Sequence, residues 1–229
     1  PGMGQLPNNE VVLSYGQRRL FTLDQLQGSS ASYNIPLALR VTGTLNLSAL
    51  SKAITAIIER HQTLRTVIVQ SEIGQPVGKL LQLEPNESLI TLDDKTKEWP
   101  ALSSAQQTDF VSALVNAIAG QPFNLATDRP IRLNVVRLTE QEHLIIMTLH
   151  HHASDGMSIN VLLKEISDGY HACLVKQPIR WRPLTVQYGD WAAWQQLTLE
   201  SHLHDQVSRA KLRLHNAPEL IALPLDFPR

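Results

Sequence analysis

Three consecutive histidines, followed closely by an aspartate and a glycine, are the residues of this 229-residue chain whose types and spacing lend themselves most directly to chemistry. They lie in Leu149-His150-His151-His152-Ala153-Ser154-Asp155-Gly156-Met157-Ser158, after the largely apolar run Leu144 to Leu149 and before an amphipathic stretch. That pattern reads as a strand, a tight polar loop and a helix start. Side chains alternate faces along a strand, so His150 and His152 share one side and His151 takes the other. A neutral imidazole can take up and return a proton near pH 7, and Asp155 or Ser158 can cap a helix whose free N–H groups favour negative charge nearby. An imidazole beside a place for a developing oxyanion is an arrangement for acyl transfer. The same residues also fit hydrogen-bonded structural histidines, or a metal cluster, although adjacent strand positions diverge and no second ligand cluster accompanies them.

The elements that must position this motif can be read along the chain. Ser14 caps a helix carrying Leu20, Leu23 and Leu26, which the Gly28-Ser29-Ser30 cluster ends. Ile35 to Thr42 alternates as a strand, with Ile35, Leu37, Leu39 and Val41 on one face. Asn46 or Ser48 caps a helix of about Ser48 to His61 whose stripe is Leu50, Ile54, Ile57 and Ile58. Leu64 to Gln70 is expected to return as a strand and Gly74-Gln75-Pro76 to turn it. Glu84 to Pro100, which includes Asn86, is polar and weakly patterned and reads as a connector. Ser103 to Ala119 is expected to be helical, stopped by Gly120 and Pro122. Ile131 to Leu138 and His143 to His150, joined by Thr139-Glu140-Gln141-Glu142, predict an antiparallel hairpin that delivers the histidines to its end. Ile159, Leu162, Leu163, Ile166 and Tyr170 stripe the helix that follows. After Pro178 the composition shifts to Trp181, Tyr188, Trp191 and Trp194. A boundary is placed there, and residues 188, 191 and 194 are expected on one helical face as core or as a domain interface.

Composition limits the partners. A hydrophobic content of 43% supplies one large core or two small ones. Twenty Lys and Arg against 21 Asp and Glu, net charge −1, give no electrostatic reason to invoke nucleic acid or an anionic membrane. The single Cys173 allows no internal disulfide and points to a reducing, cytoplasmic setting, and no apolar run approaches a membrane span.

Taken together, these stretches resemble one family, the condensation domains of nonribosomal peptide synthetases. His150 to Gly156 fits the family's HHxxxDG signature, with His152, Ala153 and Ser154 in the variable places. Ser14-Tyr15-Gly16-Gln17-Arg18-Arg19-Leu20-Phe21 is similar to SxAQxRLW, departing at Gly16 and Phe21, and Arg60-His61-Gln62-Thr63-Leu64-Arg65-Thr66 is similar to RHExLRTxF, with Gln62 for Glu. Tyr188 to Trp194 resembles YxDYAxW, and Gln121-Pro122-Phe123-Asn124-Leu125 a recurrent PFDL segment. Chloramphenicol acetyltransferases, dihydrolipoyl acyltransferases and epimerization domains share the histidine signature alone. The remaining motifs favour condensation, and the DxxxxD-type signature of cyclization domains is absent.

The resemblance implies an α/β fold of the α+β type, a chloramphenicol-acetyltransferase-like lobe with a mixed sheet packed by helices. Residues 1–178 correspond to the N-terminal lobe and 179–229 to a linker and the truncated start of a C-terminal lobe. It implies amide formation between aminoacyl or peptidyl thioesters carried on the phosphopantetheine of donor and acceptor carrier proteins, with no directly bound cofactor and no metal. The missing C-terminal lobe and an adjacent adenylation domain are the further implied partners, and this stretch alone is expected to be inactive. His151 matches the catalytic position, deprotonating or positioning the acceptor amine. His150 supports it, Gly156 allows close approach of its N–H, and Asp155 pairs with Arg65. A stand-alone acyltransferase using coenzyme A and a non-catalytic carrier-protein docking lobe are the alternatives.

Overall fold

A computed structural model describes residues 2–28, 30–85, 87–218 and 224. Ser29 of the cluster read as ending the first helix, Asn86 of the connector and most of the chain's end lie outside the described residues. In order the chain forms β1 (Glu10–Val11), α1 (Tyr15–Gln27), β2 (Asn34–Thr42), α2 (Leu47–Arg60), β3 (Thr66–Gln70), β4 (Pro76–Leu80), β5 (Ile90–Asp94), α3 (Ser104–Ala119), β6 (Ile131–Thr139), β7 (Glu142–His150), α4 (Gly156–Leu174) and α5 (Tyr188–Arg213). The helices start where short polar side chains can satisfy free backbone N–H groups. Ser14 with Gln17, Ser103 with Gln106 and Asp155 with Ser158 form reciprocal capping boxes, and Asn46 caps α2 alone.

The main sheet is mixed and runs β2-β7-β6-β5, antiparallel except for the parallel pair β5–β6. Alternation along its central strands feeds two layers. Ile131, Leu133, Val135, Met147 and Leu149 pack with Leu50, Ile54, Ile57 and Ile58 of α2 and Leu162 of α4. Val136, Leu138, Leu144 and Ile146 pack on the other side with Trp99 and, from α3, Phe110, Leu114 and Ile118. The sheet is therefore sandwiched between α2 with α4 and α3. Gly169 lets α2 and α4 approach, since a Cβ there would stand 3.1 Å from the Ala53 Cβ and 3.2 Å from the Trp181 ring. A second, antiparallel sheet, β1-β4-β3, joins α1 through Leu13, Phe21, Ile68, Phe123 and Leu125. No helix among the described residues is long and apolar enough to cross a membrane.

Three expectations need correction, and one, the turn at Gly74, is met. Gln62–Arg65 is a 3-10 turn and not the start of a strand, closed by the Thr66 hydroxyl donating to the Gln62 carbonyl at 2.7 Å. β4 completes a hairpin that the turn at Gly74 begins. The polar connector contains β5, whose pairing with β6 holds it extended although Leu92 faces solvent. Tyr188, Trp191 and Trp194 are 40%, 42% and 54% exposed, so they are not core within these residues.

Candidate active site

β7 ends at His150, and its last residues are held from two sides. The His150 N–H donates to the Pro130 carbonyl at 3.0 Å and the His151 N–H to the Tyr33 carbonyl at 2.9 Å. The strand end and the turn after it, closed by the Ala153 N–H donating to the His150 carbonyl at 3.0 Å, separate the three rings. His150 and His152 are buried, with ring centroids 5.0 Å apart, and His151 is exposed. The His152 N–H donates to Nδ1 of His150 at 3.2 Å, which leaves the His150 proton on Nε2. Phe123 packs edge-on to His150 at 5.9 Å, and the Arg132 guanidinium lies over the Phe123 ring at 3.8 Å. Burial, with His151 nearby, pushes His150 down to about 4, and burial beside His150 pushes His152 down to about 3. Both inner rings are accordingly neutral at pH 7.

His151 opens onto a cavity of about 470 Å³. One wall is α1, through Gly16, Gln17, Leu20 and Leu23; Tyr33, Thr63 and Tyr188 complete the rim, with the loop from His151 to Asp155 below. The Gln17 amide donates to the His152 carbonyl at 3.1 Å, so α1 and the loop are tied together. Residues past Pro178 also contribute: the Tyr188 hydroxyl donates to Ser14 Oγ at 3.1 Å, and the Gln187 amide donates to the Arg60 carbonyl at 3.0 Å and accepts from the Gln62 N–H at 3.1 Å. The stretches read as separate motifs therefore meet around one cavity.

Asp155 and Arg65 do not form the expected ion pair. Asp155 caps α4, accepting from the Ser158 N–H at 2.9 Å and the Ser158 hydroxyl at 2.6 Å, and these bonds hold its carboxyl below the usual range. Arg65, placed in a 3-10 turn, sends its guanidinium to the Leu81 carbonyl at 3.2 Å. The acid serving the second motif is Glu165 of α4, which binds Arg60 Nε at 3.0 Å and His61 Nε2 at 2.6 Å while 8% exposed. Gly156 is the first residue of α4, where an N–H lacks a helical partner. A Cβ there would meet nothing within 4 Å, so the described residues impose no need for glycine. Among the described residues no three His, Cys, Asp or Glu side chains converge as a metal-binding group.

Gln17, Tyr33, Thr63 and Glu165 were not singled out from sequence as site residues. Only Gln17 left a local signal, its three-residue spacing from Ser14. Chemically, the arrangement presents one accessible imidazole, backed by two neutral buried ones, at the floor of a cavity beside a helix N-terminus.

Residues 8–209 match the family described as Condensation domain. Among curated proteins, the chain is 37% identical over 231 residues to a linear gramicidin synthase of Brevibacillus parabrevis, covering 100% of this chain and 3% of that protein. It is 38% identical over 227 residues to malpibaldin synthetase of Mortierella alpina, covering 96% and 4%, and 34% identical over 218 residues to bacitracin synthase 2 of Bacillus licheniformis, covering 95% and 8%. The chain thus spans a small fraction of the length of these relatives. Among solved structures, the X-domain from teicoplanin biosynthesis aligns with a TM-score of 0.80 at 24% identity over 100% of this chain and 49% of that one. The first condensation domain of the CDA synthetase aligns at 0.78 and 17% identity over 94% and 52%. These two likenesses are of fold, and they place the mixed sheet and its helices in the expected chloramphenicol-acetyltransferase-like class.

Proposed function

This chain belongs to the condensation-domain family, and on that footing we propose that it serves amide-bond formation in nonribosomal peptide synthesis. The acceptor is an aminoacyl thioester and the donor an aminoacyl or peptidyl thioester, each presented on the phosphopantetheine of a peptidyl carrier protein. The acceptor amine attacks the donor carbonyl. The new C–N bond forms, the C–S bond breaks, and the proton lost from nitrogen ends on the departing thiol. His151 sits where it can hold the amine in line or take that proton and hand it to sulfur. A positioned base contributes roughly 10²- to 10⁴-fold and alignment a comparable factor.

The observation that carries this reading is the separation of the three histidines: only His151 is exposed, on a backbone pinned to Tyr33, at the floor of the cavity. Gly156, at the free N-terminus of α4, offers an N–H to the tetrahedral oxyanion, and Asp155 keeps that helix end in place. The two solved chains, the X-domain and the first condensation domain of the CDA synthetase, are about twice as long, covered to 49% and 52%. We therefore assign the wall facing His151 to a second lobe of the same domain, with an adenylation domain adjacent, and expect residues 1–229 by themselves not to condense substrates. The lone Cys173 supports a reducing, cytoplasmic setting.

The test is single-turnover peptide transfer between loaded carrier proteins by a two-lobed domain carrying this sequence. His151→Ala should lower the rate at least a hundredfold without moving the melting temperature. His151→Gln separates the roles: it retains much of the rate if His151 only holds the amine and little if it moves the proton. Near-normal transfer by His151→Ala would sink the assignment.

A further inference from the structure

We propose that Gln196 of α5 is a positioning residue for His151, holding the start of α1 so that the histidine loop keeps its place. This rests on the reading of His151 above. Three consecutive residues at the start of α1 are each bonded by a side chain of α5. The Gln196 amide donates to the Leu13 carbonyl at 2.7 Å, the Tyr188 hydroxyl to Ser14 Oγ at 3.1 Å, and the Tyr15 N–H donates to Gln195 Oε1 at 3.1 Å. The same helix grips the turn that carries Thr63, through the bonds of Gln187 to the Arg60 carbonyl and the Gln62 N–H. One element lying past Pro178 therefore fixes two walls beside His151.

From Leu13 the bonds run without a gap to the histidine loop. Ser14 caps α1 and, with Gln17, closes the box that orients the Gln17 amide, and that amide donates to the His152 carbonyl at 3.1 Å. His152 directly follows His151. Leu13, Ser14, Gln17 and His152 are all buried, so a shift at the Leu13 carbonyl passes along packed groups instead of being absorbed at the surface. Gln196 itself does not line the cavity at His151, so it reaches the reaction only through α1. The distances involved are small but sufficient, because a misplacement of about 1 Å far from the chemistry can cost roughly a hundredfold in rate. The two neighbouring glutamines play opposite parts: Gln196 gives a hydrogen bond and Gln195 receives one.

That opposition supplies the experiment, single-turnover transfer between loaded carrier proteins by the two-lobed domain with the same substitution made at each position. An ionised glutamate cannot donate to the Leu13 carbonyl, but it accepts from the Tyr15 N–H, where a negative charge suits the start of a helix. At saturating carrier protein, Gln196→Glu should lower the rate roughly ten- to a hundredfold while the half-saturating concentration moves less than about twofold. Gln195→Glu should stay close to the parent in both. Gln196→Met, uncharged and of similar length, should show the same loss as Gln196→Glu and serves if the glutamate variant fails to fold. Rates are normalised to the folded fraction from melting curves. Equal losses in the two glutamate variants, an unchanged saturating rate in Gln196→Met, or a loss that vanishes on normalisation would overturn the positioning role. The His151→Ala control separates the two ideas: His151-dependent transfer that is indifferent to Gln196 defeats the positioning role alone, and transfer indifferent to His151 defeats the functional reading beneath it.

Discussion

The side-chain amide of Gln17 donates to the main-chain carbonyl of His152 at 3.1 Å, joining two buried residues 135 positions apart. The amide is itself fixed, because its oxygen accepts from the Ser14 N–H at 3.0 Å while Ser14 Oγ accepts from the Gln17 N–H at 3.2 Å. One residue thus caps α1 and anchors the histidine loop, so the helix that walls the cavity and the loop that forms its floor move as a unit.

Replacing that link should be costly. Gln17→Leu keeps the volume but strands a buried carbonyl and opens the capping box, an expected loss of about 1–3 kcal/mol. Thermal or denaturant melts would show it, and condensation by the folded fraction should also fall because His151 loses its fixed backbone. An unaltered melting curve would mean that the bond contributes nothing.

Acid should destabilise the fold through its two inner histidines. His150 and His152 are held neutral with values of about 4 and 3 in the folded chain, against about 6.5 in the unfolded chain. Because the folded values are depressed, the unfolded chain binds more protons in this window. The stabilising contribution is full above pH 6.5 and is lost as pH falls toward 4. His152→Phe should flatten the fall in stability between pH 6.5 and 4, and a variant as acid-sensitive as the parent would contradict the burial argument.

A double-mutant cycle on Asp155→Asn and Arg65→Met should give coupling near zero, because the two side chains bind elsewhere. The same cycle on Glu165→Gln and Arg60→Met should give a clear interaction, since removing one member of a half-buried charged hydrogen bond leaves the other unmet, a cost of about 1–3 kcal/mol. Coupling in the first pair and none in the second would reverse this assignment.

Gly156→Ala should leave stability nearly unchanged, since a Cβ there meets nothing within 4 Å and alanine suits a helix better. Any loss of transfer rate without loss of stability would then report on substrate approach to the start of α4. A large drop in melting temperature would show instead that the position is constrained within the fold.

The readings that survived from sequence are the local ones. Ser14 caps the helix that follows it, and Asn46 and Asp155, each one of two caps the sequence offered, cap theirs, because capping involves only residues two or three positions away. The expected burial of His150 and His152 with His151 exposed is also seen, although β7 ends at His150 and the turn closed by the Ala153 N–H donating to the His150 carbonyl at 3.0 Å places the other two. β5 escaped notice because a five-residue strand with an exposed leucine has little pattern of its own, and its extended form is supported by pairing with β6.

What the amino-acid sequence determined by itself was the set of elements around the histidine motif and the family to which its spaced motifs correspond. The tertiary structure alone decided the partners. Whether Arg65 meets Asp155 or the Leu81 carbonyl, whether Glu165 gathers Arg60 and His61, and whether Gln17 reaches His152 all depend on which surfaces the packed sheet and helices bring into hydrogen-bonding distance. A hydrogen bond or ion pair is satisfied by proximity in space, and residues more than 100 positions apart carry no local trace of the partner that folding assigns them.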